Sequence, residues 1–245
     1  MIRSGPPPVG GVRGWLRRRG FDVIRYNPDT AFHLQRRRIV AERGIDLVLD
    51  VGASGGQYAL DLRQAGYAGR IVSFEPLEEP FAELSAQAAD DPLWDCVRLA
   101  LGAADESAVC HVAENSFSSS LLTMLDRHTD AAAGSRHVRD EVVTVRRLDD
   151  VFRDLARTDD RALLKLDVQG AELRVFDGAT AALAQIHAVE AELSLLPLYE
   201  SQPLIGDVIA RLDESGFVLV GLARGFTDAR TKQVLQLDGL FVRVP

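Results

Sequence analysis

Three groups of residues in this chain have the types and spacing to do chemistry. The first is LVLDVGASGGQY at 47–58, followed by IVSFEP at 71–76. An apolar run carries Asp50 and opens into a turn containing Gly52, Gly55 and Gly56, where the missing Cβ lets the backbone approach a ligand closely. Glu75 closes the next apolar run, roughly 20 residues on, where an acidic side chain grips a ribose diol. Together they predict a nucleoside-containing cofactor at the carboxyl ends of parallel strands. The turn, Gly52-Ala53-Ser54-Gly55-Gly56, is not the G-x-G-x-x-G of a dinucleotide site, and Gln57-Tyr58 follow where a P-loop needs Lys and Ser/Thr. With both phosphate cradles missing, a nucleoside without phosphates fits better, S-adenosylmethionine being the common one.

The second group is KLDVQGAEL at 165–173. Asp167 ends another apolar run and Glu172 falls in the first turn of the helix that follows. In an open α/β sheet Asp167 then faces the same crevice as Gly52 and Glu75. A carboxylate there could hold the amino-acid end of the cofactor, coordinate a metal or accept a proton; it could also cap the following helix. The next strand contributes Glu190 and Glu192, on one face by alternation. Glu172 and Glu190 could equally be charges that pair with arginine or favour a helix start. The third group is His111, His128 and His137, within or beside a polar excursion at 115–137. Histidine titrates near neutrality and is the usual base for a hydroxyl proton. His128 lies inside the excursion, where it could reach a substrate. Ser118, Ser119 and Ser120 could bond an adenine edge or a polar substrate, or be ordinary loop residues.

The elements that must position these groups alternate. Strands are expected at 47–51, 70–75, 96–100, 162–167 and 188–194, and helices at 57–66, 78–89, 170–184 and 204–215. This pattern builds a parallel sheet with right-handed crossovers. Residues 107–114 and 141–148 alternate apolar and polar like an antiparallel or edge pair, and the excursion between them reads as a functional loop or lid. Strands at 217–223 and 238–244 close the chain as a hairpin. Upstream, 1–11 is Pro/Gly-rich and expected to be disordered. Residues 12–44 read as helical, interrupted at Pro28, restarted at Asp29-Thr30 and stopped at Gly44. The domain division is therefore 1–44 as an Arg-rich extension and 45–245 as the main domain.

Composition sets bounds. With 245 residues and 47% apolar content, one full α/β core can be buried. Net charge is -8, but residues 1–43 hold ten arginines against Asp22, Asp29 and Glu42, so that segment is +7 and the rest -15. The runs Arg17–Arg19 and Arg36–Arg38 read as a helix face docking on an acidic domain; no aromatic residues interleave them as a nucleic-acid groove wants. Cys96 and Cys110 lack CxxC spacing and read as buried thiols in a reducing compartment. No signal peptide or membrane-spanning run is expected, so the reading is a cytoplasmic protein.

Several stretches together resemble the FkbM family of S-adenosylmethionine-dependent methyltransferases: VLDVGASGGQYA, IVSFEPL, ALG at 100–102, SSSLL with a downstream histidine, LLKLDVQGAE, LSLLPLY and the closing LDGLFVR. The resemblance spans about 45–244. It implies a Rossmann-like class I methyltransferase fold, a seven-stranded, mostly parallel sheet with an antiparallel final hairpin and helices on both faces. It implies O-methylation of a sugar, glycolipid or polyketide-type metabolite, with S-adenosylhomocysteine as product. By position Asp50, Gly52 and Gly55 would line the methionine part of the cofactor, with Ala53, Tyr58 and Pro76 in the same site. Glu75 would take the ribose, Ala100 and Leu101 would flank the adenine, and Asp167 would lie near the amino group and reacting methyl. Ser54 departs from the Asn common before that glycine, which bears on the geometry of the turn.

The expected reaction is in-line displacement, with His128, Asp167 and Glu192 as candidate bases. Mg²⁺ is an alternative way to acidify a hydroxyl, but no compact metal motif is present and no metal ligands are assigned. The expected partner is a small-molecule, glycan or glycolipid acceptor and not nucleic acid, and the apolar terminal strands could pair in a homodimer. The competing classes are a nucleotide-dependent oxidoreductase, short of its phosphate glycines, and a non-catalytic scaffold of the same fold, which would have no need of carboxylates at the strand ends.

Overall fold

A computed structural model describes residues 12–21 and 31–244. The expected disorder of 1–11, the break at Pro28 and the helix start at Asp29-Thr30 lie outside the described residues. The described residues begin with helices α1 (Val12–Arg18) and α2 (Phe32–Glu42). A βα alternation follows: β1 (Leu47–Val51), α3 (Gln57–Gln64), β2 (Arg70–Phe74), α4 (Glu78–Ala88) and β3 (Trp94–Val97). Then come β4 (Ala100–Leu101), β5 (Glu106–Ala113), α5 (Asp126–Ala131), β6 (His137–Arg146) and α6 (Leu148–Leu155). The final third holds β7 (Ala162–Leu166), α7 (Glu172–Asp177), β8 (Ile186–Ser194), α8 (Ile205–Glu214), β9 (Phe217–Arg224) and β10 (Gln236–Arg243).

Seven strands form one sheet in the order β3-β2-β1-β7-β8-β10-β9, parallel except for the terminal hairpin β9/β10. This is the seven-stranded, mostly parallel arrangement with an antiparallel final hairpin that the family resemblance implies. β1 and β7 are buried along their whole length because they sit at the centre with both faces covered. Leu47, Leu49 and Val51 join one core with Phe152, Val175, Phe176, Val208 and Leu212, so α6, α7 and α8 cover that face. Val48 packs in the other core with Ala59, Leu62, Leu84 and Ala88 under α3 and α4, with Ile39 and Val40 of α2 against it. The chain runs outward through β2 and β3, then returns to the centre and runs the other way through β7 and β8. The switch point between β1 and β7 is where the carboxyl ends of parallel strands leave a crevice.

Four local expectations change. The strand expected at 96–100 divides: β3 ends at Val97, and β4 leaves the main sheet to pair with Val145 and Arg146 in a small second sheet, β4-β6-β5. The helix expected at 170–184 stops at Asp177, because Gly178 packs against the Gly102 carbonyl so closely that a Cβ there would lie 1.9 Å from it. Asp149 then takes the amides of Ala181 and Ala182 at 2.9 and 2.8 Å and starts a separate 3-10 turn, Ala182–Gln185. The 115–137 excursion contains 3-10 turns at Ser116–Ser118 and Ala133–Ser135 with α5 between them. Helix α6 follows β6 directly, so the alternating pattern expected to 148 ends at Arg146.

Candidate active site

A cavity of about 370 Å³ opens at the switch point, within the range of small-molecule sites. Gly52, Ala53 and Tyr58 line it from the end of β1 and from α3, and Glu75 and Pro76 from the end of β2. Ala100 and Leu101 of β4 and Asp167 after β7 complete the group brought together as expected. The turn after β1 is glycine-dependent at two points. Gly52 has φ +73°, and a Cβ there would lie 1.9 Å from the Asp167 carbonyl oxygen. Gly56, at φ +92°, sits against Leu84 and Trp94. Main chain thus meets main chain at the floor of the crevice, drawing the ends of β1 and β7 together.

Glu75 is 5% exposed and accepts the amides of Ser54 at 2.8 Å and Leu77 at 2.9 Å. Burial pushes its carboxyl up to about 7, against the pull of those two donors. Asp50 and Gly55, expected at the cofactor, are not among the residues lining the cavity. Asp50 is fully buried in β1, where Ser73 Oγ donates to it at 3.2 Å and Lys165 Nζ pairs with it at 3.1 Å. Strand pairing sets this contact, since Asp50 and Lys165 are register partners of β1 and β7. Lys165 also donates to the Gly52 carbonyl at 3.1 Å and lies 3.9 Å from Asp167. Nearby carboxylates hold its ammonium well above the usual lysine value despite burial.

A second chain of contacts runs from Asp167 through Gln169 to Glu192 and Tyr199. Gln169 Nε2 donates to Asp167 at 2.7 Å and to Glu192 at 3.1 Å, and Gln236 donates to Glu192 as well. The Tyr199 hydroxyl sits 2.8 Å from Gln169 Oε1 and 2.9 Å from the Ser118 carbonyl. Gln169 holds φ +50° ahead of Gly170 at φ +96°, a tight turn that aims its amide between the two carboxylates. Glu192 does not line the cavity, and burial, with Asp167 and Glu172 close by, raises its carboxyl well above the ordinary range. Glu172 caps its own turn by accepting the Gly170 amide at 3.1 Å. Glu190 pairs with Arg36 at 3.1 Å and accepts from the Tyr58 hydroxyl at 2.9 Å.

His128 does not take the position expected of it. It is 3% exposed, packed at 5.2 Å between Tyr199 and Phe226, with Nε2 3.3 Å from Ser118 Oγ and Nδ1 without a partner. Burial lowers its imidazole to about 4. It lines neither the main cavity nor a second one of about 210 Å³, bounded by His111, Ser118, Ser120, Thr123, His137, Asp140 and Tyr199. Ser120 belongs to both cavities and donates to the Gln169 carbonyl at 2.7 Å.

Sequence reasoning passed over Lys165, Gln169, Asp238 and the residues Phe32 and Arg36 of α2, all on the cavity wall. The signal for Lys165 was present: a charge inside ALLKL, a run too apolar for solvent, needs a carboxylate partner on a neighbouring strand. Among the described residues no helix is long and apolar enough to cross a membrane.

A model of the Methyltransferase FkbM domain matches residues 50–219 of this chain. No curated protein sequence matches it. Among solved structures, an rRNA methylase from Streptococcus thermophilus is 10% identical, with a TM-score of 0.46 over 91% of this chain and 100% of that one. A Streptococcus pneumoniae protein provisionally assigned as a tRNA (m1A22) methyltransferase, in complex with S-adenosyl-L-methionine, is 11% identical, with a TM-score of 0.44 over 85% and 74% of the two chains. TehB from Haemophilus influenzae is 9% identical, with a TM-score of 0.46 over 88% and 63%.

Proposed function

The chain belongs to the FkbM family of methyltransferases, and from that premise we propose that it transfers a methyl group from S-adenosylmethionine to a hydroxyl of a sugar, glycolipid or polyketide-type metabolite. The observation that carries this reading is the cavity at the β1/β7 switch point, with Glu75 and Asp167 both on its wall. Its wall suits the cofactor. Glu75 would accept from the two ribose hydroxyls, Leu77, Leu99 and Leu101 would offer apolar surface to the adenine, and Asp167 would lie near the amino group and the reacting methyl. Bound there, S-adenosylmethionine supplies a methyl group on a sulfonium, open to in-line attack by oxygen.

The residues of the chain have three tasks. Gly52, Glu75 and Lys165 fix the cofactor end, Lys165 by holding Asp50, the Gly52 carbonyl and Asp167 in one arrangement. Alignment of oxygen, carbon and sulfur lowers the barrier by up to several kcal/mol. Asp167 receives the hydroxyl proton: of the three candidate bases it alone lines the cavity, and its side chain is 43% exposed. The second cavity, reached past Ser120, takes the acceptor. Its exposed Thr123 hydroxyl can donate and accept toward a polyol, with Ser118 beside it on the same wall. The -15 charge of residues 44–245 favours a neutral acceptor over a polyanion.

Calorimetric titration with S-adenosylhomocysteine tests the cofactor assignment, with NADH as control. The expected result is micromolar or tighter binding, weakened roughly tenfold or more in Glu75→Ala. Absence of binding to the folded protein sinks the reading. In the same series Asp167→Asn keeps product affinity within a few-fold and loses about 10²–10⁴ in turnover on a hydroxyl acceptor; equal losses in both make Asp167 a holder of the ammonium and not the base.

A further inference from the structure

The small second sheet gathers a set of side chains to which the proposed methyl transfer assigns no role. His111 of β5 and Asp140 of β6 are direct cross-strand partners. His137 precedes Asp140 by three residues, and in an unbroken strand that spacing puts the two on opposite faces. The ladder shifts here, with Val112 facing Arg139 and Ala113 facing His137, so Val138 is the extra residue of a bulge. A bulge re-aims the side chains on either side of it, and this one returns His137 to the face of Asp140. His111 Nδ1 and His137 Nε2 each lie 2.8 Å from the same Asp140 oxygen, and the rings meet edge to face at 5.4 Å. One ligand atom from each of the three lies within 4.8 Å of the others. All three remain accessible from solvent, and all three stand on the wall of the second cavity.

We propose that His111, His137 and Asp140 bind one divalent transition-metal ion of the zinc class, with its remaining coordination position open to the second cavity. Two imidazoles and a carboxylate are an N₂O donor set, which suits zinc-like ions and not Mg²⁺ or Ca²⁺, whose ligands are oxygens. Bonds of about 2.0–2.1 Å in tetrahedral geometry hold ligand atoms roughly 3.3 Å apart, so small side-chain rotations convert the present cluster into a coordination sphere. Three protein ligands with one open position is the arrangement of zinc sites that take water or substrate. The ion would also join β5 to β6 at the root of the 114–136 excursion, whose residues line both cavities. The proposal stands on the β5/β6 geometry and does not depend on the acceptor or on methyl transfer.

The test uses the full-length protein after chelator treatment, titrated with ZnCl₂, with MgCl₂ as control. The expected result is one zinc per chain at micromolar or tighter affinity and no magnesium binding. Co²⁺ in place of zinc should give the visible absorption of a four-coordinate site. His137→Ala and Asp140→Asn should each weaken zinc binding roughly tenfold or more, while His33→Ala, an exposed histidine on α2, leaves it unchanged. The proposal is overturned if the wild-type chain binds no zinc, or if Asp140→Asn and His137→Ala bind it as tightly as wild type. Asp140→Asn is nearly isosteric and exposed, so it separates loss of a ligand from loss of the fold.

Discussion

Two buried polar side chains of this protein act in opposite ways. Lys165 is 9% exposed and surrounded by oxygens, so its charge is compensated where it stands. His128 is 3% exposed and surrounded by rings, with one hydroxyl in reach, so it stays neutral. Its imidazole titrates near 6.5 in the unfolded chain and at about 4 in the folded one. A depressed folded value means the stability is complete above pH 6.5 and is lost as pH falls toward 4. His128→Phe removes that loss. Between pH 7 and pH 4 the variant should gain roughly 2–3 kcal/mol on wild type in urea unfolding, on top of a pH-independent cost from leaving Ser118 Oγ without its partner. Turnover should stay within a few-fold of wild type; a hundredfold fall would return the role of base to His128. The sequence offered His128 as a base because it lies inside the polar excursion, where it could reach a substrate. Nothing in 115–137 reveals that Tyr199 and Phe226, some 70–100 residues away, enclose it.

At the level of elements, backbone approach decides the geometry. The DVGASGG turn was legible as a ligand-facing loop, but the reason for Gly52 was not: its requirement is the Asp167 carbonyl, a partner on another strand. The splitting of the 170–184 helix has the same origin in Gly178 and Gly102, and the Val138 bulge that aligns His137 with Asp140 depends on strand register. Strands and helices with strong periodicity could be read locally. Close approaches, bulges and the strand that leaves for a second sheet follow from pairing that local pattern does not encode. Gly52→Ala tests the closest of these approaches. It forces a side chain into left-handed backbone and into a carbonyl at once, and should cost roughly 2–4 kcal/mol in urea unfolding and abolish S-adenosylhomocysteine binding. Wild-type stability in this variant would mean that β1 and β7 can part at the crevice without cost.

Across the whole molecule, charge is divided between an arginine-rich start and an acidic remainder, and α2 joins them. Arg36 crosses from α2 to Glu190 at 3.1 Å and lies 4.8 Å over the Tyr58 ring, while Lys165 approaches the same ring at 5.3 Å. The segment read from sequence as an extension at 1–44 therefore supplies Phe32 and Arg36 to the cavity wall. The expected docking of a basic helix on an acidic surface takes the form, at Arg36, of a largely buried ion pair, with side chains 13% and 10% exposed. Burial raises the Glu190 carboxyl above its ordinary value, and Arg36 is the largest influence pulling it down. Arg36→Met leaves that carboxylate buried with only Tyr58 and a more distant Lys165 to answer it. The expected loss is about 3 kcal/mol at pH 8, smaller at pH 5, because a carboxyl whose folded value is raised takes up a proton as pH falls and the penalty lifts. Adding Glu190→Gln should recover part of the loss at pH 8 and flatten the pH dependence. If Arg36→Met unfolds at the same urea concentration as wild type at both pH values, α2 is held by its apolar contacts alone, and the charge division of the chain plays no part in closing the cavity.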